Sequence, residues 1–293
     1  MKNILVLMGG ISSERDISIS SGKAISKGLK EAGYSVSEFI IDSPNIACDL
    51  NNYDLVFIAL HGIFGEDGKI QKILDDLNIP YTGSSAESCK ISFNKILTRE
   101  LLLKNNIRVP KGIVVNDESY PNISYPLIIK PACEGSSVGC NFVKNKSEWH
   151  SAYRSTSLIS KQILVEEFIS GKEITVGIVG KKVLPVLEVI PFEGWYDFNS
   201  KYKSNNNKYV VPANLPQSVS KKLQIIALEV FNILGASGFG RIDFRLSDKN
   251  EPYVLELNSI PGFTKNSLLP KAANAAGISF SDLCSLIVKE KFN

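Results

Sequence analysis

The chain has 293 residues and carries 33 Lys and Arg against 30 Asp and Glu, a net charge of +3. Its length suggests two domains or three smaller ones, and a composition of 44% hydrophobic and 22% charged residues is that of an ordinary soluble globular protein. So small a charge does not support binding to nucleic acid or to a membrane surface, and the longest apolar runs are far too short to span a membrane. The five cysteines are scattered without CxxC spacing, which fits a reducing cytoplasm and argues against a zinc site or a disulfide framework.

The first 88 residues alternate predicted strands and helices, which is typical of a small doubly wound α/β unit. The predicted elements are strands over 4–8, 36–41 and 55–60, a helix that ends near Gly33, and a helix with Ile70, Ile73, Leu74 and Leu77 on one stripe. Ser13 and Asp16 are spaced like a capping box and predict where the first helix begins. Because ligands bind beyond the carboxyl ends of the strands in such units, the loops over 9–16 and 61–68 are candidate binding loops.

The remainder of the chain predicts two mixed units. The first has a helix over 93–104, strands over 112–115, 127–130, 141–143 and 163–168, and a helix over 147–157. The second has strands over 174–179 and 183–190, a long polar loop, a helix over 219–234, a hairpin, and a closing helix over 280–291. The expected domains are therefore 1–88, 89–172 and 173–293.

The most informative segment is the predicted β-hairpin over 240–258, whose two halves alternate apolar and polar residues around a turn-forming stretch. If Leu246 lies opposite Tyr253, one face is wholly apolar, with Ile242, Phe244, Leu246, Tyr253, Leu255 and Leu257. The other face then brings Asp243 opposite Glu256 and Arg241 opposite Asn258. Two adjacent carboxylates repel unless a cation lies between them, and such oxygen ligands suit Mg2+. Taken alone, a solvated hairpin face with ion pairs explains the same pattern.

Several other segments contain the residue types of a binding site, and each also has an ordinary structural explanation. The glycine-rich residues 134–139 form either a loop whose N–H groups surround phosphate or a plain hairpin turn. Lys130, on the preceding strand, is either a phosphate-binding charge or an exposed lysine. Residues 165–173 can bind an adenine edge and ribose hydroxyls, or serve as a solvated linker. His61 is either a ligand-site residue or a histidine paired with its own loop, and the aromatic loop over 196–202 either closes over a site or merely anchors itself.

Taken together and in this order, these segments resemble the D-alanine–D-alanine ligases of the ATP-grasp superfamily. The matching stretches are 9–15, 61–68, 130–131, 134–139, 165–168 with Glu173, 196–202, 240–243, 256–258, 261–264 and 266–268. The resemblance runs essentially from end to end, without a large insertion. The one visible departure is Ser259, where the family usually has Thr after the metal-ligand Asn, and the hydroxyl is kept.

The resemblance implies a three-domain ATP-grasp fold, in which an N-terminal doubly wound α/β domain precedes two α+β ATP-grasp subdomains. It implies that ATP phosphorylates the carboxylate of one D-alanine and that the amine of a second attacks the acylphosphate, giving a peptidoglycan precursor dipeptide, ADP and phosphate. Two Mg2+ ions, with Mn2+ as a substitute, are implied at Asp243, Glu256 and Asn258. The implied ATP site comprises Lys95, Lys130, Glu134, Ser136, Ser137, Glu166, Glu167, Phe168, Ile169 and Glu173.

The resemblance also implies the residues that bind the first D-alanine and stabilise the reaction intermediate. Glu14 pairs with the ammonium of the first D-alanine and is linked by hydrogen bonds to Ser136 and Tyr202. Arg241 and the N–H of Gly262 stabilise the tetrahedral oxyanion, a role in which one donor contributes ~3 kcal/mol.

The second D-alanine is held, by the same resemblance, through the Ser267 hydroxyl and the Leu268 N–H, while His61 and Lys201 give electrostatic support near the acylphosphate. The implied partners are ATP and D-alanine, with neither nucleic acid nor membrane. The implied assembly is a cytoplasmic homodimer.

Three alternatives to this ligase have distinguishing features. A relative that uses D-serine or D-lactate as second substrate is the nearest alternative, and the Lys201-Tyr202 pair argues against the lactate form because ligases of that type lack the tyrosine. ATP-grasp carboxylate–amine ligases of other pathways lack the 61–68 loop in this setting. A non-catalytic nucleotide-binding protein is expected to have lost Asp243, Glu256 or Arg241, and all three are present.

Overall fold

The computed structural model describes residues 2–44, 49–192, 207–264 and 266–292. Within these ranges the strands form three sheets. None of the helices in the described ranges is both long enough and apolar enough to cross a membrane.

The N-terminal sheet is parallel, with the strand order β2-β1-β3. Its elements in chain order are β1 (Asn3–Gly9), α1 (Arg15–Glu31), β2 (Ser35–Ile41), a short 3-10 turn (Leu50–Asn52), β3 (Leu55–Ile58) and α2 (Lys69–Asp76). The apolar runs of β1 and β3 are almost entirely buried, as the sequence predicted. On α2, Ile70 and Leu74 are buried, whereas Leu77 lies past the end of the helix and is 54% exposed.

The predicted capping box at the start of α1 is wrong. The N-cap of α1 is Glu14, and no side chain caps it. The neighbouring Ser12 is used instead: its Oγ accepts from the Glu14 N–H at 3.2 Å and donates to the His61 carbonyl at 2.7 Å. A serine one position earlier than predicted therefore ties the two candidate binding loops together.

The second sheet is antiparallel, with the strand order β4-β7-β5-β6. Its strands are β4 (Gly112–Val115), β5 (Leu127–Pro131), β6 (Asn141–Val143) and β7 (Ile163–Glu167), and a 3-10 turn (Lys146–Glu148) leads into α5 (Trp149–Ser157). Two helices, α3 (Ala86–Phe93) and α4 (Lys95–Lys104), stand where one was predicted. Asn94 separates them because its side chain accepts from the N–H groups of Ile96 and Leu97, which caps α4.

The third sheet has the order β11-β10-β8-β12-β13, and β9 pairs with β8. Its elements are β8 (Gly171–Val179), β9 (Lys182–Val183), β10 (Leu187–Ile190), β11 (Lys208–Val210), α6 (Gln217–Ile233), β12 (Phe239–Ser247), β13 (Pro252–Asn258), α7 (Leu268–Ala275) and α8 (Phe280–Glu290). The single strand predicted over 183–190 is divided into β9 and β10. Neither β11 nor α7 was predicted.

The hairpin of β12 and β13 has the predicted register only from Arg241 to Asp243. Asp243 pairs with Glu256 and Arg241 with Asn258, but the register shifts after Asp243, so that Phe244 pairs with Val254 and Leu246 with Pro252. The extra residue is Leu255, which the shift leaves without a partner on β12. Val254 is consequently buried in the core, and Tyr253 and Leu255, predicted on the apolar face, lie on the other one.

The N-terminal unit shares a hydrophobic core with the third sheet. Phe57 of β3 and Phe239 of β12 pack on Phe263, with ring centroids 5.9 and 5.7 Å from that of Phe263. α1 and α8 also pack against one another, and Phe280 meets Gly28, where a Cβ would lie 2.9 Å from the ring. This core holds the carboxyl ends of β1 and β3 against the polar end of the β12–β13 hairpin.

Candidate active site

Two adjoining pockets occupy the polar face of the third sheet. The first lies between the second and third sheets, and the second lies where the loops after β1 and β3 meet the third sheet. Both are lined by Lys95, Glu256 and Leu268, so the pockets meet at these residues. Every predicted site residue within the described ranges lines one pocket or the other. The predicted Lys201 and Tyr202, with the rest of the loop over 196–202, lie outside the described residues.

The polar face of the sheet is organised in rows that cross β8, β12 and β13. One row is Thr175, Asp243 and Glu256, and the next consists of Gly177, Arg241 and Asn258. The Arg241 guanidinium donates two hydrogen bonds to Asp243, at 2.8 and 2.7 Å, and the Thr175 hydroxyl donates a third at 2.6 Å. Glu256, across the hairpin, has Lys95 Nζ 3.4 Å from its Oε2. Each of the two carboxylates predicted to bind metal, Asp243 and Glu256, thus faces a cationic side chain.

These residues fit a hard divalent cation. Asp243, Glu256 and Asn258 provide two carboxylates and an amide on neighbouring positions of one hairpin, and oxygen donors of this kind bind Mg2+. Within the described ranges no cluster of three or more His, Cys, Asp and Glu side chains is arranged around a metal position. A metal here would therefore complete its coordination with substrate oxygens, as Mg2+ at phosphate-binding sites usually does.

The glycine-rich loop after β5 is joined to α4 and to the N-terminal unit. Lys95 Nζ donates to the Glu134 carbonyl at 2.6 Å. Ser136 and Ser137 both adopt left-handed conformations, with φ of 50° and 60°, and turn bonds run from Val138 N to Gly135 O and from Cys140 N to Ser137 O. Successive residues of this kind curl the backbone tightly, as expected for a loop that surrounds an anion.

The tip of this loop contacts Glu14 directly. Ser136 Oγ donates a hydrogen bond to Glu14 Oε1, which is one of the two links predicted for this carboxylate. Gly135 makes the approach possible, because a Cβ at this position would lie 2.6 Å from Glu14 Oε2. Glu14 is itself only 6% exposed. The contact joins the N-terminal unit to the second sheet across the second pocket.

A buried ion pair lies in the wall of the first pocket. Lys130 Nζ is 2.5 Å from Glu166 Oε2, and Arg99 Nη1 is 3.4 Å from Glu166 Oε1. Burial acts to lower the pKa of Lys130, but the attraction of Glu166 outweighs it and the pKa is raised. Lys130 therefore stays charged, and the exposed lysine considered from the sequence is excluded, since this side chain is 9% exposed.

The segment after β7 is held by an arginine of β12. Arg245 donates to the Ile169 carbonyl at 2.9 Å, to the Gly171 carbonyl at 2.8 Å and to Glu173 Oε1 at 2.7 Å. Its guanidinium also lies 5.2 Å from the centre of the Phe168 ring. The segment is therefore fixed along the first pocket rather than free in solvent.

His61 is buried in the second pocket and is neutral. Its Nδ1 lies 3.1 Å from the Ile260 carbonyl, which can only accept, so this nitrogen carries the proton. Its Nε2 then accepts from Ser21 Oγ at 3.2 Å. Burial lowers the pKa of His61, although Glu14 acts in the opposite direction. The ring nitrogens of His61 are therefore bonded to residues outside its own loop, in contrast to the alternative of a histidine paired with that loop.

Glu66 adds a second carboxyl group beside Glu14. Burial raises the pKa of Glu66 to about 8, and the charge of Glu14 adds to the rise. The Gly62 N–H donates to Glu66 Oε2 at 2.6 Å. With its amide nitrogen directed to this side, Asn258 donates to Glu66 Oε1 at 3.0 Å and to the Ile260 carbonyl at 3.2 Å. The 61–68 loop therefore orients the amide of a predicted metal ligand.

The far side of the second pocket is formed by the turn before α7. Ser267 Oγ accepts from the Thr264 N–H at 2.9 Å and lies 2.9 Å from the Thr264 hydroxyl. Leu268 is the first residue of α7, where backbone N–H groups have no partner within the helix. Gly262 packs against this turn, since a Cβ there would lie 2.8 Å from Ser267 Oγ. The turn offers hydroxyl and N–H donors suited to a carboxylate.

Sequence reasoning missed Glu66, Thr175 and Arg245, which line these pockets, and Arg99, which contacts Glu166 from outside the pocket lining. Arg245 had a signal, because the alternation of β12 places it on the same face as Arg241 and Asp243. Glu66 had one as well, since it belongs to the 61–68 motif. Thr175 and Arg99 act across strands and helices distant in sequence, and no local pattern marks them.

Residues 102–289 match the family model described as D-ala D-ala ligase C-terminus, and residues 42–84 match D-ala D-ala ligase N-terminus. The D-alanine–D-alanine ligase of Methylacidiphilum infernorum (isolate V4) is 40% identical over 288 residues, 98% of this chain and 95% of that protein. That of Aquifex aeolicus (strain VF5) is 40% identical over 294 residues, 97% of this chain and 99% of that protein.

Solved structures agree in fold over the whole chain. The D-alanine–D-alanine ligase from Bacillus anthracis complexed with ATP has a TM-score of 0.87 at 30% identity, covering 100% of this chain and 98% of that one. The VanG D-Ala:D-Ser ligase from Enterococcus faecalis has a TM-score of 0.86 at 27% identity, with 99% of each chain covered. The mixed α/β fold expected of an ATP-grasp ligase is confirmed, and the chain belongs to the D-alanine–D-alanine ligase family.

Proposed function

We propose that this protein joins two D-alanine molecules at the expense of ATP. A carboxylate oxygen of the first D-alanine attacks the γ-phosphorus and ADP leaves; the amine of the second then attacks the acyl carbon and phosphate leaves. The observation that carries the proposal is that the two pockets meet at Lys95 and Glu256. A nucleotide in one pocket and an amino acid in the other come together beside these charges. Phosphoryl transfer relies mainly on such positioning and charge neutralisation.

ATP occupies the first pocket in this proposal. The Phe168 ring and the fixed segment after β7 support an adenine site, and Glu173, held by Arg245, is available to the ribose hydroxyls. Lys130 and Lys95, which both line the pocket, neutralise phosphate oxygens. The loop carrying Glu134, Ser136 and Ser137 covers those oxygens with its backbone N–H groups.

Asp243, Glu256 and Asn258 would hold Mg2+, in two ions by the family resemblance and with Mn2+ as a substitute. A bound Mg2+ would neutralise charge that develops on the phosphate oxygens. The chain's own contribution is to hold the three ligands: Thr175 and Arg241 fix Asp243, and Glu66 fixes the amide of Asn258.

The first D-alanine occupies the second pocket, with its ammonium on Glu14. The buried Glu14 carboxylate gives the pocket its preference for a cationic group, and the Ser136 hydroxyl fixes one of its oxygens. His61, which is neutral, adds a polar group without attracting a second anion. Lys201 and Tyr202, by the family resemblance, complete this part of the site.

The second D-alanine binds with its carboxylate on the turn before α7. The Ser267 hydroxyl and the Leu268 N–H are the donors that support this role. Arg241 and the Gly262 N–H stabilise the oxyanion of the tetrahedral intermediate. Arg241 is already fixed by its two bonds to Asp243, so it is oriented before substrate arrives.

The proposal extends to organisation and location. We propose domains at 1–88, 89–172 and 173–293, a homodimer, and a cytoplasmic site of action where ATP is available, in the supply of dipeptide for peptidoglycan. Sedimentation at several protein concentrations tests the dimer.

The test of function is a competition assay. Purified protein is given Mg2+, ATP, D-alanine and an equal concentration of D-serine or D-lactate, and ADP and the products are quantified by chromatography. The expected result is one ADP for each D-alanyl-D-alanine formed, with the dipeptide as main product. A main product containing D-serine or D-lactate contradicts the choice of substrate. ADP release without any amino-acid ligation contradicts the ligase itself.

A further inference from the structure

Glu166 is a buried carboxylate with two cations, one on either side. Its side chain is 6% exposed, and its two oxygens face different partners: Oε2 lies 2.5 Å from Lys130 Nζ and Oε1 lies 3.4 Å from Arg99 Nη1. Lys130 comes from β5, which pairs with β7 in the second sheet, whereas Arg99 comes from α4. The two cations therefore belong to separate elements, so Lys130 can change its partner while Arg99 stays in place.

The chain makes room for Arg99 to reach Glu166. Gly112 of β4 pairs with Glu166, and a Cβ at Gly112 would lie 2.8 Å from Glu166 Cγ and 3.3 Å from Arg99 Cζ. The guanidinium is also bonded to the Pro110 carbonyl. Arg99 is thus held in place by a backbone carbonyl as well as by charge, whereas among the described residues the ion-pair partner of Lys130 is Glu166 alone.

Nucleotide phosphates change the charge balance at this point. Lys130 faces the first pocket, and phosphate oxygens that bind there attract its ammonium away from Glu166 or share it. Either event weakens the closest counter-charge of Glu166 and brings further negative charge near it. An uncompensated carboxylate at such a buried position is strongly unfavourable and takes up a proton. A second, immobile cation removes this cost.

We propose that Arg99 is a positioning residue that supplies the standing counter-charge of Glu166 whenever nucleotide phosphates engage Lys130. The inference rests on the proposed function of the first pocket and assigns a role to a residue outside it. Arginine suits the role because its guanidinium remains charged throughout the accessible pH range and donates in a fixed geometry. Arg99 also lies one helical turn from Lys95, so α4 presents one cation to the phosphates and the other to Glu166.

The charged groups around Glu166 are few enough to make a clean measurement. Lys130 on β5 and Arg99 on α4 face it directly, and the charge of Glu256 on β13 acts on Lys130. β4 contributes Gly112 at the paired position, with no charge. If Arg99 is removed, nucleotide binding should be coupled to protonation of Glu166.

The experiment measures the heat of ADP binding to the full-length protein with excess Mg2+ at pH 7.5, in buffers of different ionisation enthalpy. The buffer dependence gives the number of protons taken up. We expect Arg99→Gln to take up roughly half to one proton more per bound ADP than the unmodified protein, with ~10- to 100-fold weaker binding. Arg99→Lys, which keeps the charge, should stay near the unmodified proton count. Arg108→Gln, which removes an exposed arginine paired with Glu251, is the matched control and should change neither quantity.

Two results overturn the proposal. One is Arg99→Gln binding ADP with the proton uptake of the unmodified protein. The other is that the unmodified protein takes up about one proton more per bound ADP than Glu166→Gln does. That result would mean that Arg99 does not keep Glu166 ionised, and it can be obtained even if Arg99→Gln does not fold. If the unmodified protein does not bind ADP, the proposed nucleotide pocket is contradicted. That result is distinct from a failure of the Arg99 proposal, in which ADP still binds.

Discussion

Replacing Thr175 with Val tests whether Asp243 must be held by the sheet in order to bind metal. Thr175 is 4% exposed, and its hydroxyl donates to Asp243 Oδ1 at 2.6 Å. Valine keeps the branched shape that a strand favours and exchanges the hydroxyl for a methyl group. The variant therefore removes one hydrogen bond to a carboxylate while Arg241 still holds that carboxylate by two others.

The size of the effect follows from the charge and burial of this contact. A hydrogen bond to a charged group contributes ~1.5–3 kcal/mol, and Thr175 is buried, so the methyl group of Val takes the place of the donor hydroxyl. Since ~1.4 kcal/mol is a factor of ten, the Mg2+ concentration for half-maximal activity should rise about 10- to 100-fold, the range seen when partners of metal ligands are removed. Turnover at saturating Mg2+ should change much less.

The assay is a Mg2+ titration of ADP release at fixed ATP and D-alanine, with thermal unfolding measured in parallel. Thr82→Val is a suitable control, because Thr82 is also buried and its hydroxyl accepts from the Ile58 N–H, away from both pockets. That variant should lose stability without shifting the Mg2+ titration. If the Thr175→Val and unmodified titrations coincide, Thr175 does not support a metal site and the reasoning is refuted.

Three further predictions concern other parts of the site. Glu256→Gln removes a charge at nearly constant shape and should lower turnover at least ~100-fold, with little change in the unfolding temperature. Near-normal turnover at limiting Mg2+ would show that Glu256 is not a metal ligand. Gly135→Ala introduces a Cβ 2.6 Å from Glu14 Oε2, so the KM for the first D-alanine should rise about tenfold or more; an unchanged KM would exclude a role for this contact in substrate binding. Burial raises the pKa of Glu66 from 4.5 to about 8, so between these pH values the folded state holds a proton that the unfolded state releases. The contribution of this proton to the free energy of unfolding is complete below pH 4.5 and is lost as the pH rises through 8. The free energy of unfolding should fall by up to ~1.4 kcal/mol per pH unit in that window. Chemical denaturation of the metal-free protein should show that fall, and Glu66→Gln should reduce it; parallel pH profiles for the two proteins would contradict the assignment.

The sequence predicted which residues line the two pockets better than it predicted the bounds of the strands and helices around them. The order of the motifs identified residues that line two adjoining pockets, because those motifs lie at strand ends and loops where local sequence decides which groups are presented. The alternation of β12 also placed Asp243 opposite Glu256 correctly. Beyond that pair the predicted register failed at Leu255, since Tyr253, Val254 and Leu255 are three successive apolar residues and period-two reasoning cannot show which of them a bulge adds.

The helix boundaries failed for a different reason. Residues 86–104 have helical composition throughout, so only the capping bonds of Asn94 show that two helices meet there. The start of α1 was also mispredicted, because the hydroxyl of Ser12 rather than that of Ser13 makes the hydrogen bonds there. Ser12 donates to the His61 carbonyl, a partner distant in sequence that a local pattern does not reveal. The support for Asp243 and Glu166 could not be predicted either, because Thr175 and Arg99 reach them only once the sheets are assembled.

The most direct test of the central claim follows the oxygen atoms. D-alanine labelled with 18O in both carboxylate oxygens is incubated with the protein, Mg2+ and unlabelled ATP, and the released phosphate and the dipeptide are examined by mass spectrometry. Because a carboxylate oxygen attacks the γ-phosphorus and leaves with the phosphate, each phosphate released should carry one 18O, and the peptide carbonyl should keep the other. Unlabelled phosphate, with dipeptide or without it, would contradict an acylphosphate formed where the two pockets meet.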